Sequence, residues 1–362
     1  MANRKIHDVK TDWLRIPLSQ PITDSSHILS FIELILVEVH AGDHVGESYM
    51  LSFDYAPALL KGVVDQELRR YVVGQSADDI RFLYQRNLAA TGYIAQEGLA
   101  TWGVAAIDVA LWDLLARRLG VPAALLFGQH SSVVPVYGSG GWLSYTDEQL
   151  ADEVSRYVKR GFTSVKMKIG GDEDRDVERV HPVRKTIGPR RKLMVDANQA
   201  LTLEKALRLA ERLQNCHLDW FEEPFPKHDL ESYAQLSAGT SIPLAAGERE
   251  FGVQPFRRLI AARAISIVQP DLLRIGGVTG WRLVAGLAEA NLLRIAPHFY
   301  REHDLHLAAA CPNILAIESF DWLDPLLAHP LEIRNGHAHV PDRPGFGASF
   351  KPEAVREYRR KE

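Results

Sequence analysis

Short apolar runs alternate with longer amphipathic stretches between residues 133 and 320. Seven of the intervals between the runs have helical periodicity, and the clearest begins with a capping box at Thr146 and Gln149 and stops at Gly161. Strands that alternate with helices of this length predict a parallel sheet, and eight strands are enough to close one. The pattern therefore predicts an α/β fold, a modified TIM barrel of eight strands and seven full helices. The eight runs are VVPVYGS, TSVKMKI, KLMVDAN, LDWFEEP, IPLAAGE, ISIVQPD, LRIAPHF and LAIESF.

The pattern before residue 120 is different. VKTDWLRIPL and FIELILVEVHAG read as strands, and the second alternates like a half-buried antiparallel strand that turns at Gly42 and Asp43. Between them, PLSQPITDSSHILSF predicts a loop of roughly a dozen residues, long enough to be a lid or a plain surface loop. Residues 46–57 predict a second irregular stretch, and residues 58–119 predict helices that end at Gly120, which suits a left-handed C-cap.

These patterns predict three segments: an α+β domain with candidate lid loops over residues 1–128, the barrel over 129–325, and a C-terminal piece over 326–362 that packs back on the first domain. In the last piece, LEIRNGHAHVP predicts a hairpin with a type I′ turn at Asn335 and Gly336, followed by a short basic tail. The apolar stretch VAAIDVALWDLLA is interrupted by two aspartates and is too short to span a bilayer, so it predicts a buried helix.

Composition limits the classes of partner. The 362 residues are 46% hydrophobic and 24% charged, with a net charge of −4, which is ordinary for a globular enzyme and gives no electrostatic reason to expect nucleic acid. Only Cys216 and Cys311 are present, so no disulfide framework is predicted, and the chain starts without a signal-peptide stretch. We therefore expect a cytoplasmic protein that binds neither nucleic acid nor membrane.

Three acidic residues, Asp196, Glu222 and Glu248, follow successive apolar runs at equal steps of 26 residues. The carboxyl ends of barrel strands meet at one rim, so these carboxylates are expected to converge. Each alone reads equally well as a helix N-cap, but three in phase favour a metal site. Oxygen ligands without His or Cys suit a hard cation, so Mg²⁺ is expected, with Mn²⁺ as the alternative.

The other strand ends also carry ionisable residues. Lys166 and Lys168 lie two apart on one strand and should point the same way. Near each other and near Mg²⁺, each disfavours protonation of the other, which would lower the pKa of one enough for it to act as a base. Two solvated lysines are the alternative. Asp271 and His298 end successive runs, and a carboxylate bonded to one imidazole nitrogen would fix the tautomer. Glu318, if protonated, could donate to a developing oxyanion.

This ring suits removal of a proton α to a carboxylate. Mg²⁺ and hydrogen-bond donors would hold the resulting enediolate. If a Lys stands on one face and a His on the other, return of the proton to the opposite face gives racemisation. Expulsion of a β-hydroxyl by the His gives dehydration.

The chain resembles the enolase superfamily, and within it the mandelate racemase subgroup, over nearly its full length. The motifs VKMKIG, MVDANQ, WFEEP, the Gly-Glu pair at 247–248, QPD, PHF and the Glu318 run occur in the family's order. Enolase-superfamily sites use a Lys or His base together with Mg²⁺. The resemblance implies a capping domain on a barrel of eight strands and seven full helices, and commonly a symmetric homo-oligomer. It also implies these roles: Asp196, Glu222 and Glu248 as metal ligands, Lys168 as the base, Lys166, Asn198 and Glu318 at the substrate, and His298 with Asp271 as the second acid/base.

The resemblance differs from mandelate racemases at the lid, where ITDSSH is polar from Thr23 to His27. This argues against an aryl substrate. PHFYREHDLHLAAA, WLDP and GSGGW resemble family members that dehydrate acid sugars such as galactarate, talarate or glucarate. The leading hypothesis is therefore a lyase, an acid-sugar dehydratase that gives a 2-keto-3-deoxy acid from a small carboxylate substrate.

Three alternatives remain open. A racemase or epimerase of a 2-hydroxy acid would use the same Lys and His. A barrel metallohydrolase is disfavoured, because such sites usually need His ligands and the strand ends supply no His pair. The third alternative is a protein that the metal stabilises but that catalyses no reaction. Other residues that could reach a substrate are Trp142, Tyr145, Arg249, Arg301, Asp24 and His27.

Overall fold

A three-stranded antiparallel sheet begins the fold, in a computed structural model that describes residues 4–93 and 97–360. Its strands are β1 (Ile6–Thr23), β2 (Ile28–Ala41) and β3 (His44–Ser52), in that order across the sheet. The predicted turn at Gly42 and Asp43 is confirmed: Gly42 has a φ of 59°, which glycine adopts without steric cost.

Helices cover this sheet. They are α1 (Pro57–Gly62), a π-helical turn (Val63–Leu68), α2 (Arg69–Val72), α3 (Ile80–Thr91), α4 (Leu99–Leu119) and α5 (Ala123–Leu126). Gly120 closes α4 at a φ of 69°, as predicted. Residues 94–96 of the predicted helical stretch lie outside the described residues. By length and composition α4 could cross a membrane, so the prediction that it is too short is wrong, because the helix has 21 residues. Most of α4 is buried inside the protein, as predicted.

Two predictions for the capping domain are wrong. The dozen-residue loop is a hairpin whose turn has only four residues, 24–27, because Ile22 pairs with Leu29 and Thr23 with Ile28 beyond a bulge. The stretch predicted as irregular contains β3, which pairs with β2 throughout. Its small residues concealed it: a Cβ on Gly46 would lie 1.9 Å from the Ala110 carbonyl oxygen, so a small residue lets β3 approach α4.

The predicted barrel is confirmed between residues 133 and 320, all of which the structure describes. β4 to β10 are parallel neighbours in chain order, and β11 pairs with β4. A parallel bridge between Ile295 and Ile314 closes the ring. The interior is filled by one small cluster that includes Tyr137, Met194 and Trp220. The strands are β4 (Val133–Gly140), β5 (Ser164–Lys168), β6 (Lys192–Asp196), β7 (Trp220–Glu222), β8 (Leu244–Ala246), β9 (Ile267–Val268), β10 (Arg294–Ile295) and β11 (Ile317–Ser319).

Seven α-helices alternate with these eight strands within the same described range, in agreement with the prediction. The predicted capping box is present at the first, where the Thr146 hydroxyl accepts from the Gln149 N–H and the Gln149 side chain accepts from the Thr146 N–H. The helices are α6 (Asp147–Lys159), α7 (Glu173–Ile187), α8 (Leu203–Arg212), α9 (Leu230–Gly239), α10 (Gln254–Ala261), α11 (Gly277–Ala290) and α12 (Arg301–Ala308).

The C-terminal piece contacts both larger parts. Its predicted hairpin is confirmed as β12 (Ile333–Arg334) and β13 (His337–His339), joined by Asn335 at φ 49° and Gly336 at φ 71°, the signs of a type I′ turn. β13 extends the barrel sheet beside β4, and α13 (Pro352–Tyr358) leads to a bridge between Arg359 and Leu14 of β1. Residues 361 and 362 of the basic tail lie outside the described residues. The division at 128 and 325 stays a prediction.

Asp108 of α4 joins the capping domain to the barrel. It accepts hydrogen bonds from the Thr279 hydroxyl at 2.6 Å and the Thr279 N–H at 2.9 Å, at the start of α11. Burial raises the pKa of Asp108 from 3.8 to about 7, against the opposing effect of these hydrogen bonds.

This pKa predicts how stability depends on pH. A carboxyl whose pKa is higher in the folded state stabilises the fold fully at low pH and loses that contribution as the pH rises from about 4 to about 7. We expect Asp108→Asn to remove this loss. Between pH 4 and 7 the free energy of unfolding of the unchanged protein should fall more than that of the variant, by up to about 4 kcal/mol. Urea unfolding at both pH values measures the difference, and parallel pH dependences would contradict it.

Candidate active site at the carboxyl ends of the barrel strands

Three buried carboxylates meet at the rim. Asp196 and Glu222 end β6 and β7 in direct register, and Glu248 lies two residues beyond β8. One oxygen from each lies within 4.8 Å of the other two. Three buried negative charges at this distance repel one another unless a cation neutralises them. Their hard oxygen donors match those that Mg²⁺ prefers, so these residues fit a magnesium ion.

Two buried lysines of β5 face these carboxylates. Lys166 Nζ lies 2.5 Å from Glu222 and 2.8 Å from Glu318, and Lys168 Nζ lies 2.5 Å from Asp196. Burial acts to lower the pKa of both lysines, but the carboxylates outweigh it, and the pKa of each is raised. The predicted lowering of one lysine pKa assumed Mg²⁺ beside the two lysines and stays a prediction, whereas the carboxylates by themselves act in the opposite direction.

Asp271 and His298 form the predicted pair on the far side of the ring. His298 Nδ1 lies 2.8 Å from Asp271 Oδ2, and a backbone bridge joins the two residues. The other ring nitrogen, Nε2, lies 3.6 Å from Glu248. Burial acts to lower the pKa of His298, but Glu248 and Asp271 raise it above its usual value. The imidazole is thus oriented with Nε2 toward the carboxylate cluster.

Glu318 of β11 lies between the lysines and His298. It accepts a hydrogen bond from the Phe299 N–H at 3.1 Å and pairs with Lys166. Burial acts to raise the pKa of Glu318, but the positive charges of Lys166, His298 and Lys168 together outweigh it and the pKa is lowered. Glu318 is therefore ionised in this arrangement, whereas the oxyanion-donor hypothesis needs its protonated form.

Asn198, a predicted substrate-binding residue, is buried just beyond β6. Its N–H donates to Asp196 Oδ1 at 2.9 Å. Its own side-chain oxygen is buried and, among the residues that the structure describes, has no hydrogen-bond partner. A buried acceptor without a partner is costly, and a bound donor group would relieve that cost.

Two residues that hold Glu222 were not predicted. The Gln269 side-chain amide and the Trp220 indole N–H both donate to Glu222 Oε2, at 2.7 Å and 2.8 Å. They orient one oxygen of the carboxylate while the other faces Lys166. Gln269 belongs to the QPD motif, and its place directly after the end of β9 was the available signal.

The rim backbone is strained where the strands end. Four non-glycine residues just beyond β6, β7 and β10 have left-handed φ angles: Asn198 at 43°, Gln199 at 69°, Glu223 at 37° and Phe299 at 74°. Such conformations cost of order 1–3 kcal/mol each and persist only where the surrounding structure imposes them. Their concentration here marks the rim as a site shaped for ligand contacts.

The hairpin between β1 and β2 covers this rim. The hydroxyls of Ser25 and Ser26 donate to the carbonyls of Ala197 at 2.7 Å and Asn198 at 2.9 Å. The Leu143 N–H donates to the Thr23 carbonyl at 2.8 Å. The segment predicted as a lid therefore lies against the ends of β4 and β6, and its hairpin form keeps its backbone in register with the sheet.

Other residues predicted within reach of a substrate differ in position. The Trp142 ring lies 5.4 Å from Lys168 Nζ, whereas Tyr145 OH donates to Glu153 at 3.5 Å. Arg249 pairs with Glu223 at 3.2 Å beside the carboxylate cluster. Arg301 is buried in ion pairs with Glu302 and Asp324, so it is a packing residue rather than a rim residue.

Two family models match the chain. Residues 7–128 match the mandelate racemase and muconate lactonizing enzyme N-terminal domain, and residues 149–354 match the enolase C-terminal domain-like family. An L-talarate/galactarate dehydratase of Salmonella typhimurium is 33% identical over 97% of this chain and 90% of its own. An arabinonate dehydratase of Saccharolobus solfataricus is 30% identical over 91% of each.

A similar solved structure is that of a racemase from Streptomyces coelicolor with bound magnesium. It is 34% identical, with a TM-score of 0.95 over 98% of this chain and 99% of the other.

Proposed function

The chain belongs to the enolase superfamily, in the mandelate racemase and muconate lactonizing enzyme group, and on that premise we propose that it is a Mg²⁺-dependent acid-sugar dehydratase. One observation carries the proposal. The buried carboxylate cluster has a lysine, Lys168, on one side and a histidine, His298, on the other. Two groups that can accept or donate protons, placed on either side of the carboxylate cluster, suit a reaction that moves protons at a bound carboxylate substrate.

Asp196, Glu222 and Glu248 are the proposed ligands of Mg²⁺, which a similar structure contains. When bound, the ion supplies positive charge to the substrate carboxylate and lowers the cost of charge that develops there. Lys166 is proposed to lie beside that carboxylate, and the buried oxygen of Asn198 to accept a hydrogen bond from a substrate hydroxyl.

The proposed reaction removes a proton at C2, donates one to the leaving C3 hydroxyl and adds one at C3. Lys168 or His298 takes the proton from C2, and the electron pair of that C–H bond moves into the enediolate of the substrate. His298 then donates a proton from Nε2 to the C3 hydroxyl, which leaves as water as the C–O bond breaks. The resulting enol takes up a proton at C3 and releases the proton of its C2 hydroxyl, which gives a 2-keto-3-deoxy acid. Asp271 is proposed to position His298 through Nδ1.

Glu318 is proposed to bind the enediolate as a hydrogen-bond donor. This role requires that it gain a proton when substrate binds. Its partner Lys166 also contacts Glu222, so a change in that pairing would release Glu318.

Racemisation or epimerisation is the second candidate, because a similar structure is named a racemase. It would use the same Lys168 and His298 without loss of water. The polar hairpin turn and the dehydratase relatives favour dehydration.

A library of mono- and diacid sugars tests the function. We expect at least one to give a semicarbazide-reactive product with Mg²⁺ and none with excess EDTA, and Mg²⁺ restored after EDTA should restore the rate. Addition of Mg²⁺ to the metal-free protein should also raise the midpoint of thermal unfolding. An ion that binds only the folded state stabilises it by about 2.7 kcal/mol when its concentration is a hundred times its Kd. Turnover that survives EDTA, or no product from any acid sugar, would contradict the proposal.

The substrate class is a small acid sugar. We propose in addition that the protein is cytoplasmic and assembles as a symmetric homo-oligomer. Sedimentation equilibrium of the purified protein checks the second point, and a monomer at micromolar concentration would contradict it.

A further inference from the structure

The hairpin over the site contains an acidic side chain but no Lys or Arg. Between Pro17 and Phe31 there is no Lys or Arg, and the residues of that stretch with charge-bearing side chains are Asp24 and His27. The neighbouring stretch 50–57 adds only Asp54 as a charged residue. The two stretches adjoin, since the His27 and Tyr55 rings lie 5.6 Å apart. The capping domain thus offers a distal substrate group no Lys or Arg from these segments.

The hairpin turn lies above the reacting groups. Ser25 and Ser26 are bonded to the backbone beyond β6, and a Cβ on Gly170, beyond β5, would lie 3.2 Å from Ser25 Cβ. Lys168 and Asp196 end these same two strands. A substrate held by its carboxylate at the metal cluster therefore extends its distal end toward this turn.

Asp24 is fixed and ionised in that turn. Its side chain is only 8% exposed. Oδ1 accepts from the N–H groups of Ser26 at 2.6 Å and His27 at 2.7 Å, and Oδ2 lies 3.0 Å from His27 Nδ1. Burial acts to raise the pKa of Asp24, but the bond to His27 and the charge of Lys168 lower it. His27 Nδ1 faces Asp24, so the charged group that the turn offers to a ligand is the Asp24 carboxylate, which is an acceptor.

Arg249 does not supply a free positive charge that would offset the negative charge of Asp24. Its guanidinium group lies 3.2 Å from Glu223 and 3.8 Å from Glu248, so its charge is already shared between two carboxylates. A second substrate carboxylate would leave this end of the site with an excess of negative charge.

We propose that Asp24 selects acid sugars whose distal end is an uncharged hydroxyl, so that the enzyme prefers monoacids over diacids. This inference rests on the proposed function and narrows its substrate class. A distal hydroxyl can donate to the Asp24 carboxylate, whereas a distal carboxylate offers acceptors only and meets a like charge in a partly desolvated site.

Matched substrate pairs test the proposal. D-gluconate and D-glucarate, or D-galactonate and galactarate, differ only in whether C6 is a hydroxymethyl or a carboxylate. For the configuration that reacts, we expect kcat/KM to be at least tenfold higher for the monoacid, mostly through KM. A diacid that is used equally well or better would overturn the proposal.

The Asp24→Asn variant tests the negative charge of this side chain separately from its hydrogen bonds in the turn. Asparagine keeps the side-chain oxygen that caps the turn, so the hairpin should persist, and the ratio of kcat/KM for diacid over monoacid should rise by about tenfold. Asp152→Asn makes the same charge change on the exposed surface of α6 and should leave the ratio unchanged. An unchanged ratio in Asp24→Asn, with an unchanged unfolding midpoint, would overturn the role of Asp24.

A binding experiment separates this inference from the proposed function. Calorimetry on the Mg²⁺-loaded Lys168→Met variant measures the affinity of the same pairs without turnover. Preferred binding of monoacids by an enzyme that dehydrates nothing would support the inference and reject the function. Dehydration together with preferred binding of diacids would support the proposed function and reject the inference about Asp24. No binding by any member of the pairs would overturn both.

Discussion

Lys168→Met is expected to lower kcat for acid-sugar dehydration by a factor of at least about a thousand, the upper part of the range for a positioned acid or base. Lys168 Nζ is buried 2.5 Å from Asp196, one of the three carboxylates of the cluster. Methionine nearly preserves the volume of the side chain and removes the amine. Discontinuous assay of the keto acid product measures the loss.

The same variant should still bind metal. Because Lys168 pairs with a proposed ligand, its removal leaves Asp196 free, and the affinity for Mg²⁺ should be equal or higher, which calorimetry measures directly. Lys205→Met, on the exposed face of α8, is the matched control and should keep full activity. A rate for Lys168→Met within tenfold of the unchanged enzyme would remove Lys168 from the mechanism.

His298→Asn is expected to lower the dehydration rate by a similar factor, because Nε2 is the proposed donor to the leaving hydroxyl. Exchange of the C2 proton with solvent deuterium in recovered substrate then decides which residue is the base. Exchange that persists without dehydration assigns proton removal to Lys168. Loss of both exchange and dehydration assigns it to His298.

His217→Asn is the control for this substitution. His217 is exposed and has a φ of 48°, a conformation that asparagine tolerates well. The substitution should therefore leave the dehydration rate unchanged. Dehydration by His298→Asn at more than a tenth of the normal rate would contradict the proposed donor.

The barrel and the rim were predictable from the sequence for one physical reason. Parallel strands buried on both sides read as apolar runs, and their carboxyl ends meet on one edge, so residues as distant as Lys166 and Glu318 could be placed together. The structure brings them to 2.8 Å. The pairing of Asp271 with His298 followed from adjacent strand ends in the same way.

What the sequence concealed depended on long-range pairing. β3 lacks a clear alternation because Gly46 and Ser48 face α4, where the Ser48 hydroxyl donates to the Ala106 carbonyl. The lid read as a loop because its register is set by pairing across a bulge, which composition does not encode. Gln269 meets Glu222 only when the barrel brings β7 and β9 near each other. Trp220 lies two residues before Glu222 on β7, so their side chains share a face and this contact could have been predicted.

The electrostatics of the rim were the least predictable part. Lys166 and Lys168 were expected to lower each other's pKa beside Mg²⁺, whereas the carboxylates that pair with them by themselves raise both pKa values. The same contacts explain the ionised Glu318. The sign of each shift depends on distances between side chains from different strands, and the residue spacing along one strand does not determine them.

Dehydration in D₂O tests the central claim most directly. Removal of the C2 proton followed by loss of the C3 hydroxyl gives an enol that must take its new C3 proton from solvent. NMR and mass spectrometry of the product formed with Mg²⁺ should show one deuterium at C3 of the 2-keto-3-deoxy acid. Without the metal no product should form. A keto acid product without deuterium at C3, or substrate that exchanges its C2 proton and never loses water, would contradict the account.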